Sequence, residues 1–90
     1  MFSLKYSTRF KKELKAFRHN KELLLVLEEV LDVFISGKSL SKKYNVHPLR
    51  GEFNGCFECH LKPDVLLVYK KDKQEISILL LRIGSHSDLF

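Results

Sequence analysis

No stretch of this sequence approaches the ~20 consecutive apolar residues that span a bilayer, so no transmembrane helix and no membrane association is expected. The opening residues, MFSLKYSTRFKK, lack the apolar core of a signal peptide, which makes the cytoplasm the expected compartment. Cysteine is scarce: Cys56 and Cys59 are the only two, and in the cytosol they are reduced thiols. They stand beside His60, but no second CxxC and no HxxxH pair completes a zinc site. In a regular strand, positions 56 and 59 would also face opposite sides. No metal and no cofactor are therefore expected. Acidic residues are short as well, eleven against sixteen lysines and arginines, for a net charge of +5. That balance favours RNA, DNA, an anionic surface or an acidic protein as partner. Repeats, low-complexity tracts and linkers are absent. Ninety residues make one domain, 1–90, whose core buries ~60% of the unfolded surface and leaves no room for a large cofactor fold.

What is present divides into two halves. Phe2, Leu4 and Tyr6 alternate with Ser3 and Lys5 and predict a short strand. Ser7 or Thr8 then caps a helix in which Phe10, Leu14 and Phe17 make one apolar face. Its other face is basic. Seven of the sixteen basic residues fall in the first twenty-one positions, opposed by Glu13 alone. A solvated surface helix, a footprint on RNA or the ribosome, and a docking face for an acidic partner all fit this density. His19-Asn20 interrupts the pattern. A second helix is predicted over Lys21 to Ser36, with Leu23, Leu27, Val30 and Phe34 as its buried stripe and Gly37 as its stop.

After a polar loop over Lys38 to Asn45, period-2 signals take over. They predict strands over Phe53 to Leu61, interrupted by Gly55, over Val65 to Lys71, and over Glu75 to Ile83. Turns fall at Lys62-Pro63-Asp64 and Lys71 to Gln74, and a tail runs from Ser85 to Phe90. The order β-α-α-β-β-β defines an α+β fold: a helical hairpin packed on a small, mostly antiparallel sheet.

The second half also holds the candidate chemistry: His47, His60 and His86, with Asp64, Arg82 and Phe90. Histidine gives and takes protons near neutral pH. Cutting RNA without a metal needs a base for the 2′-hydroxyl, an acid for the leaving 5′-oxygen, and a cation for the phosphorane. Arginine suits the last role because its fork matches two phosphate oxygens. An aromatic ring can stack on an unpaired base. Taken singly, each residue has a plainer reading. A lone histidine is more often a surface residue, Arg82 fits an end-of-strand ion pair, and Phe90 fits a core plug. If the last strand continued, Arg82, Gly84 and His86 would share one face.

The ordered motifs His47-Pro48-Leu49-Arg50-Gly51, Glu58-Cys59-His60-Leu61-Lys62-Pro63-Asp64-Val65-Leu66-Leu67-Val68-Tyr69 and Arg82-Ile83-Gly84-Ser85-His86-Ser87-Asp88-Leu89-Phe90 resemble the YafQ branch of the RelE superfamily, the toxins of bacterial type II toxin–antitoxin pairs. About half the chain carries the match. The resemblance implies an endoribonuclease that cleaves mRNA, at the ribosome, by metal-independent 2′-hydroxyl attack. It implies His86 and His60 as acid and base in an unassigned order, and His47 as an assisting or substrate-binding group. Asp64 would orient a histidine or share in proton transfer, and Arg82 would hold the scissile phosphate. Phe90 would contact a base, with Glu58 a weaker substrate-binding candidate. The implied partners are mRNA, the ribosome and an acidic, partly disordered antitoxin, with operator DNA reached only through that antitoxin. A non-catalytic translation inhibitor or nucleic-acid-binding module of the same fold is the alternative. Two departures stand out: Cys56-Phe57 replaces an aromatic–arginine pair, and Val65 replaces a tryptophan found in some relatives.

Overall fold

A computed structural model describes residues 1–90. Strand β1 (Ser3–Tyr6) leads into helix α1 (Thr8–Lys15) and helix α2 (Lys21–Ser36). Strands β2 (His47–Pro48), β3 (Phe57–Lys62), β4 (Val65–Asp72) and β5 (Ser77–Gly84) follow, and helix α3 (His86–Leu89) closes the described chain. The five strands form one sheet in the order β1-β5-β4-β3-β2. Only β1 runs parallel to its neighbour, β5; the other pairs are antiparallel.

Local chemistry explains the helix limits. The Ser7 side chain accepts the Phe10 N–H at 2.9 Å and so caps α1. The Asn20 side chain accepts the Leu23 N–H at 3.0 Å and starts α2, which is why His19-Asn20 breaks the helical pattern. Gly37 ends α2 at φ +78°, a left-handed conformation that costs glycine nothing. Leu23, Leu27, Val30 and Phe34 are the buried residues of α2, the predicted stripe.

The main core lies between the helices and one sheet face. Phe10 and the α2 stripe meet Cys59, Leu61, Val65, Leu67, Tyr69, Ile78, Leu80 and Ile83 there. Burial pushes the Cys59 thiol up to about 12, so it behaves as a small apolar side chain. On the other sheet face a smaller cluster joins Cys56, Leu66, Val68 and Leu89. The two cysteines thus belong to opposite faces and share no site.

Several expectations change. Helix α1 ends at Lys15, so Phe17 lies in the turn after it rather than on the helix face. The polar loop holds a 3₁₀ turn, Lys42–Tyr44, whose Tyr44 is buried, and His47–Pro48 adds a fifth strand. The strand expected from Phe53 begins only at Phe57, because Gly51–Phe53 forms a second 3₁₀ turn and Gly55 sits at φ +90°. The expected turn over Lys71 to Gln74 lies further on: β4 continues to Asp72 and β5 starts at Ser77. The tail is a helical turn. The Ser85 side chain accepts the Asp88 N–H at 3.2 Å while Asp88 accepts the Ser85 N–H at 3.4 Å, a capping box that turns the chain away from the strand. His86 therefore does not extend the Arg82 face as a strand residue would.

Candidate active site

Cross-strand register gathers the candidate residues. His47 opposes Glu58, Glu58 opposes Val68, and Val68 opposes Arg82, so β2, β3, β4 and β5 contribute one row. His60, Leu66 and Gly84 form the next row. Directly opposed side chains share a face, and Leu66 and Val68 place both rows on the face opposite the helices. Three strand spacings of ~4.8 Å set His47 and Arg82 about 14 Å apart along the row.

A β-bulge decides which way Arg82 points. Val68 pairs with Arg82 but Tyr69 pairs with Leu80, so Leu81 is an extra residue in β5. In an unbroken strand Ile78, Leu80 and Arg82 would all face the helices, and the guanidinium would enter the main core. The inserted Leu81 reverses the parity. Ile83 stays in the core at 1% exposure, and Arg82 joins the row with Glu58.

The remaining groups cluster at the two ends of the strip. The His47 and His60 rings meet edge-on with centroids 6.3 Å apart. A groove of about 400 Å³, bordered by Lys43, Asn45, His60, Lys62 and Pro63, opens beside His60. At the other end His86 of α3 and Phe90, the residue after the helix, lie 5.3 Å apart, and Phe53 meets Phe90 edge-on at 5.6 Å. His47, His86 and Phe90 are exposed, while Glu58 and His60 are half-buried. Asp64 stands exposed in the β3–β4 turn, and neither contact joins it to the histidines. The apolar cleft of about 260 Å³ lined by Phe34, Leu40, Val46, Phe57, Tyr69 and Ile78 lies toward α2, away from this strip. No group of three or more His, Cys, Asp or Glu side chains is arranged to hold a metal ion.

Arg82 is the buried member of the set, and Glu13 of α1 is its partner. Its Nε donates to both Glu13 carboxylate oxygens at 3.0 Å, and its Nη2 donates to Oε2 at 2.7 Å. Glu13 Oε1 also accepts the Ile83 N–H at 3.2 Å. The cause is at the sheet edge. Strand β1 covers β5 only as far as Leu80. Beyond that point α1 serves the open edge, with the Ser7 hydroxyl donating to the Leu81 carbonyl at 2.8 Å and Glu13 on Ile83. Sequence reasoning missed this partner, although Glu13 is the lone acid on the basic helix. It also missed Phe53 as a neighbour of Phe90, because the alternation there reads as the start of a strand rather than the end of a 3₁₀ turn.

Burial pushes the Glu13 carboxyl up, but the hydrogen bonds from Arg82 and Ile83 and the charges of Arg82 and Arg9 outweigh it, and the net shift is downward. Arg82 is raised, first by its hydrogen bonds to Glu13. A depressed carboxyl stabilises the fold above its unfolded-state value and loses that contribution as pH falls through its folded value. The melting temperature should therefore drop as pH falls below the ordinary value of 4.5. Glu13→Gln should flatten that part of the curve, as measured by thermal unfolding at a series of pH values; an unchanged slope would remove Glu13 from the acid response.

Comparison with known proteins places the chain in a family. A family profile described as bacterial toxin of type II toxin-antitoxin system, YafQ, matches residues 2–90. The chain belongs to that family of toxins. It is 27% identical, over 97% of its own length and 94% of the relative's, to the mRNA interferase toxin YafQ of Escherichia coli K12. Among solved structures, a metal-bound toxin from Helicobacter pylori superposes with a TM-score of 0.89 at 43% identity over the whole of both chains. YafQ in the E. coli DinJ-YafQ complex superposes with a TM-score of 0.87 at 26% identity, over 100% of this chain and 99% of that one. The α+β fold, with three helices on a five-stranded mixed sheet, is the YafQ fold.

Proposed function

We propose that this toxin is an endoribonuclease that cuts mRNA on the strip between His47 and His86. The base takes the proton of a 2′-hydroxyl, and its oxygen bonds to the adjacent phosphorus. The bond to the 5′-oxygen then breaks as the acid protonates it, leaving a 2′,3′-cyclic phosphate and a 5′-hydroxyl. His86 and His60 are the acid–base pair, in an order left open, and His47 assists at the His60 end. Arg82 holds the phosphate as charge builds on it. Asp64 orients a histidine or shares in proton transfer. Glu58 and Phe90 contact the substrate, Phe90 by stacking on a base. No metal takes part.

The observation that carries this reading is the register that brings His47, Glu58 and Arg82 into one row with His60 beside them. An open, basic-flanked strip suits a polymer better than an enclosed pocket suits it. The whole chain, 1–90, acts as one domain. The message is cut on the ribosome, in the cytoplasm, and a cognate antitoxin, acidic and partly disordered, folds onto the basic surface. The complex reaches operator DNA through that antitoxin.

The test is cleavage of 5′-labelled mRNA by purified protein in excess EDTA, with and without translating ribosomes. A 2′-deoxy substitution at the scissile nucleotide should block cutting entirely. Equal cutting of the deoxy substrate would rule out attack by the 2′-oxygen. Loss of cutting in EDTA would restore a metal to the mechanism.

A further inference from the structure

The geometry points to Glu13 as the positioning residue that presents the Arg82 fork to the scissile phosphate. The inference rests on the reading of Arg82 as the phosphate-binding cation.

A guanidinium has a side edge, formed by Nε and Nη2, and an end edge, formed by Nη1 and the outer N–H of Nη2. Glu13 takes the side edge with three short contacts. Nη1 makes no hydrogen bond within the chain. No side-chain nitrogen or oxygen is both buried and unpartnered, so Nη1 reaches solvent even though Arg82 as a whole is 9% exposed. The outer face of Nη2 meets only the Asp88 carbonyl at 3.5 Å, at the margin of a hydrogen bond. The end edge is thus the free one, and it opens beside α3, which carries His86 and leads into Phe90. A planar fork offers two parallel N–H groups to two phosphate oxygens along that edge.

Glu13 is itself held. It accepts the Ile83 amide, and Arg9 stands 4.0 Å from its Oε2. The carboxylate is therefore anchored to the backbone of β5 next to the arginine it orients. A long arginine side chain with four flexible torsions would otherwise sample many directions, and ordering it during the reaction would cost rate. The carboxylate does offset part of the guanidinium charge, as Glu52 and Asp88 nearby also do. Direction is gained and net attraction for RNA is reduced. The benefit falls on the transition state, where the added charge on the phosphorane is met by a donor already aimed at it. Glu13 touches neither substrate nor reacting atoms in this scheme, so its effect should pass wholly through Arg82.

The experiment is a mutant cycle read by cleavage of 5′-labelled mRNA, with and without translating ribosomes, beside thermal unfolding of each protein. Glu13→Gln keeps an amide oxygen for the Ile83 N–H and removes the charge. Glu13→Asp keeps the charge and draws it back by one methylene. Each should lower kcat about 10- to 100-fold, with KM for the RNA unchanged in Glu13→Asp and unchanged or lower in Glu13→Gln, which removes a negative charge. On an Arg82→Lys background, which keeps the charge but lacks the fork, neither should lower kcat further. Two soluble, cooperatively melting variants guard against loss of fold in either one. Wild-type kcat in both variants would overturn the proposal, as would an equal loss on the Arg82→Lys background, which would make Glu13 a general support of the fold. His86-dependent cutting by the wild type alongside such a result would leave the ribonuclease reading standing. No cutting by the wild type in either lane would overturn that reading and this one together.

Discussion

Replacing His86 by alanine is expected to lower RNA cleavage by about 10²- to 10⁴-fold, the contribution of one positioned acid or base. The fold should not change. His86 is exposed, and the cap of α3 is made by Ser85 and Asp88 rather than by the imidazole. Alanine is also the better helix former. Thermal unfolding should therefore move by no more than about 0.5 kcal/mol, as for other surface substitutions. Single-turnover cleavage beside a melting curve checks both halves. Retained cutting would remove His86 from the chemistry. Retained growth inhibition with no cutting in wild type or mutant would favour a toxin that blocks translation by occupancy.

Leu89→Ala should reach nearly the same loss of cutting by a different route. Helix α3 has four residues, far too few to be stable alone. Leu89, 6% exposed, is its buried anchor, packed with Leu66, Val68 and Cys56. Its δ2 carbon also comes within 3.3 Å of where a side chain on Gly84 would begin, so the close fit depends on that glycine. Truncating a buried leucine costs roughly 2–5 kcal/mol. That cost exceeds what a four-residue helix can bear, so α3 should undock locally while the main core stays intact. His86 and Phe90 would then leave the strip together. The expected signature is a large fall in kcat, fast amide exchange confined to residues 85–90, and a melting temperature that falls far less than a core truncation would cause. Full activity with slow exchange in α3 would show that the helix holds without its anchor.

The residues that were legible in the sequence are those whose reasons are local. The limits of α2 could be read to the residue because Asn20 caps it and Gly37 ends it, and its stripe repeats with the helical period. The motifs around His47, His60 and Arg82 were legible as a pattern. What joins them was not. A two-residue strand, His47–Pro48, is too short to show alternation, yet it sets the register that brings His47 to Glu58. The Leu81 bulge leaves no periodic trace, because an inserted residue in an all-apolar run changes no letter, only the parity that follows it. Glu13 and Arg82 are 69 positions apart, and local pattern cannot pair them. The capping box of α3 was present as Ser85 and Asp88, but Gly84 reads as the end of a strand and hides what starts after it.

The parallel pairing of β1 with β5 has a consequence for how the molecule is made. Strand β1 leaves the ribosome first among the strands, and its only neighbour is the last strand to emerge. Until residues 77–84 are synthesised, β1 has no ladder to join, α1 has no edge to cover and Glu13 has no arginine to hold. The order of translation therefore delays this pairing until β5 is out, and contacts between such distant segments form slowly. A nascent copy thus carries its basic helix before the sheet edge that this helix covers has been made.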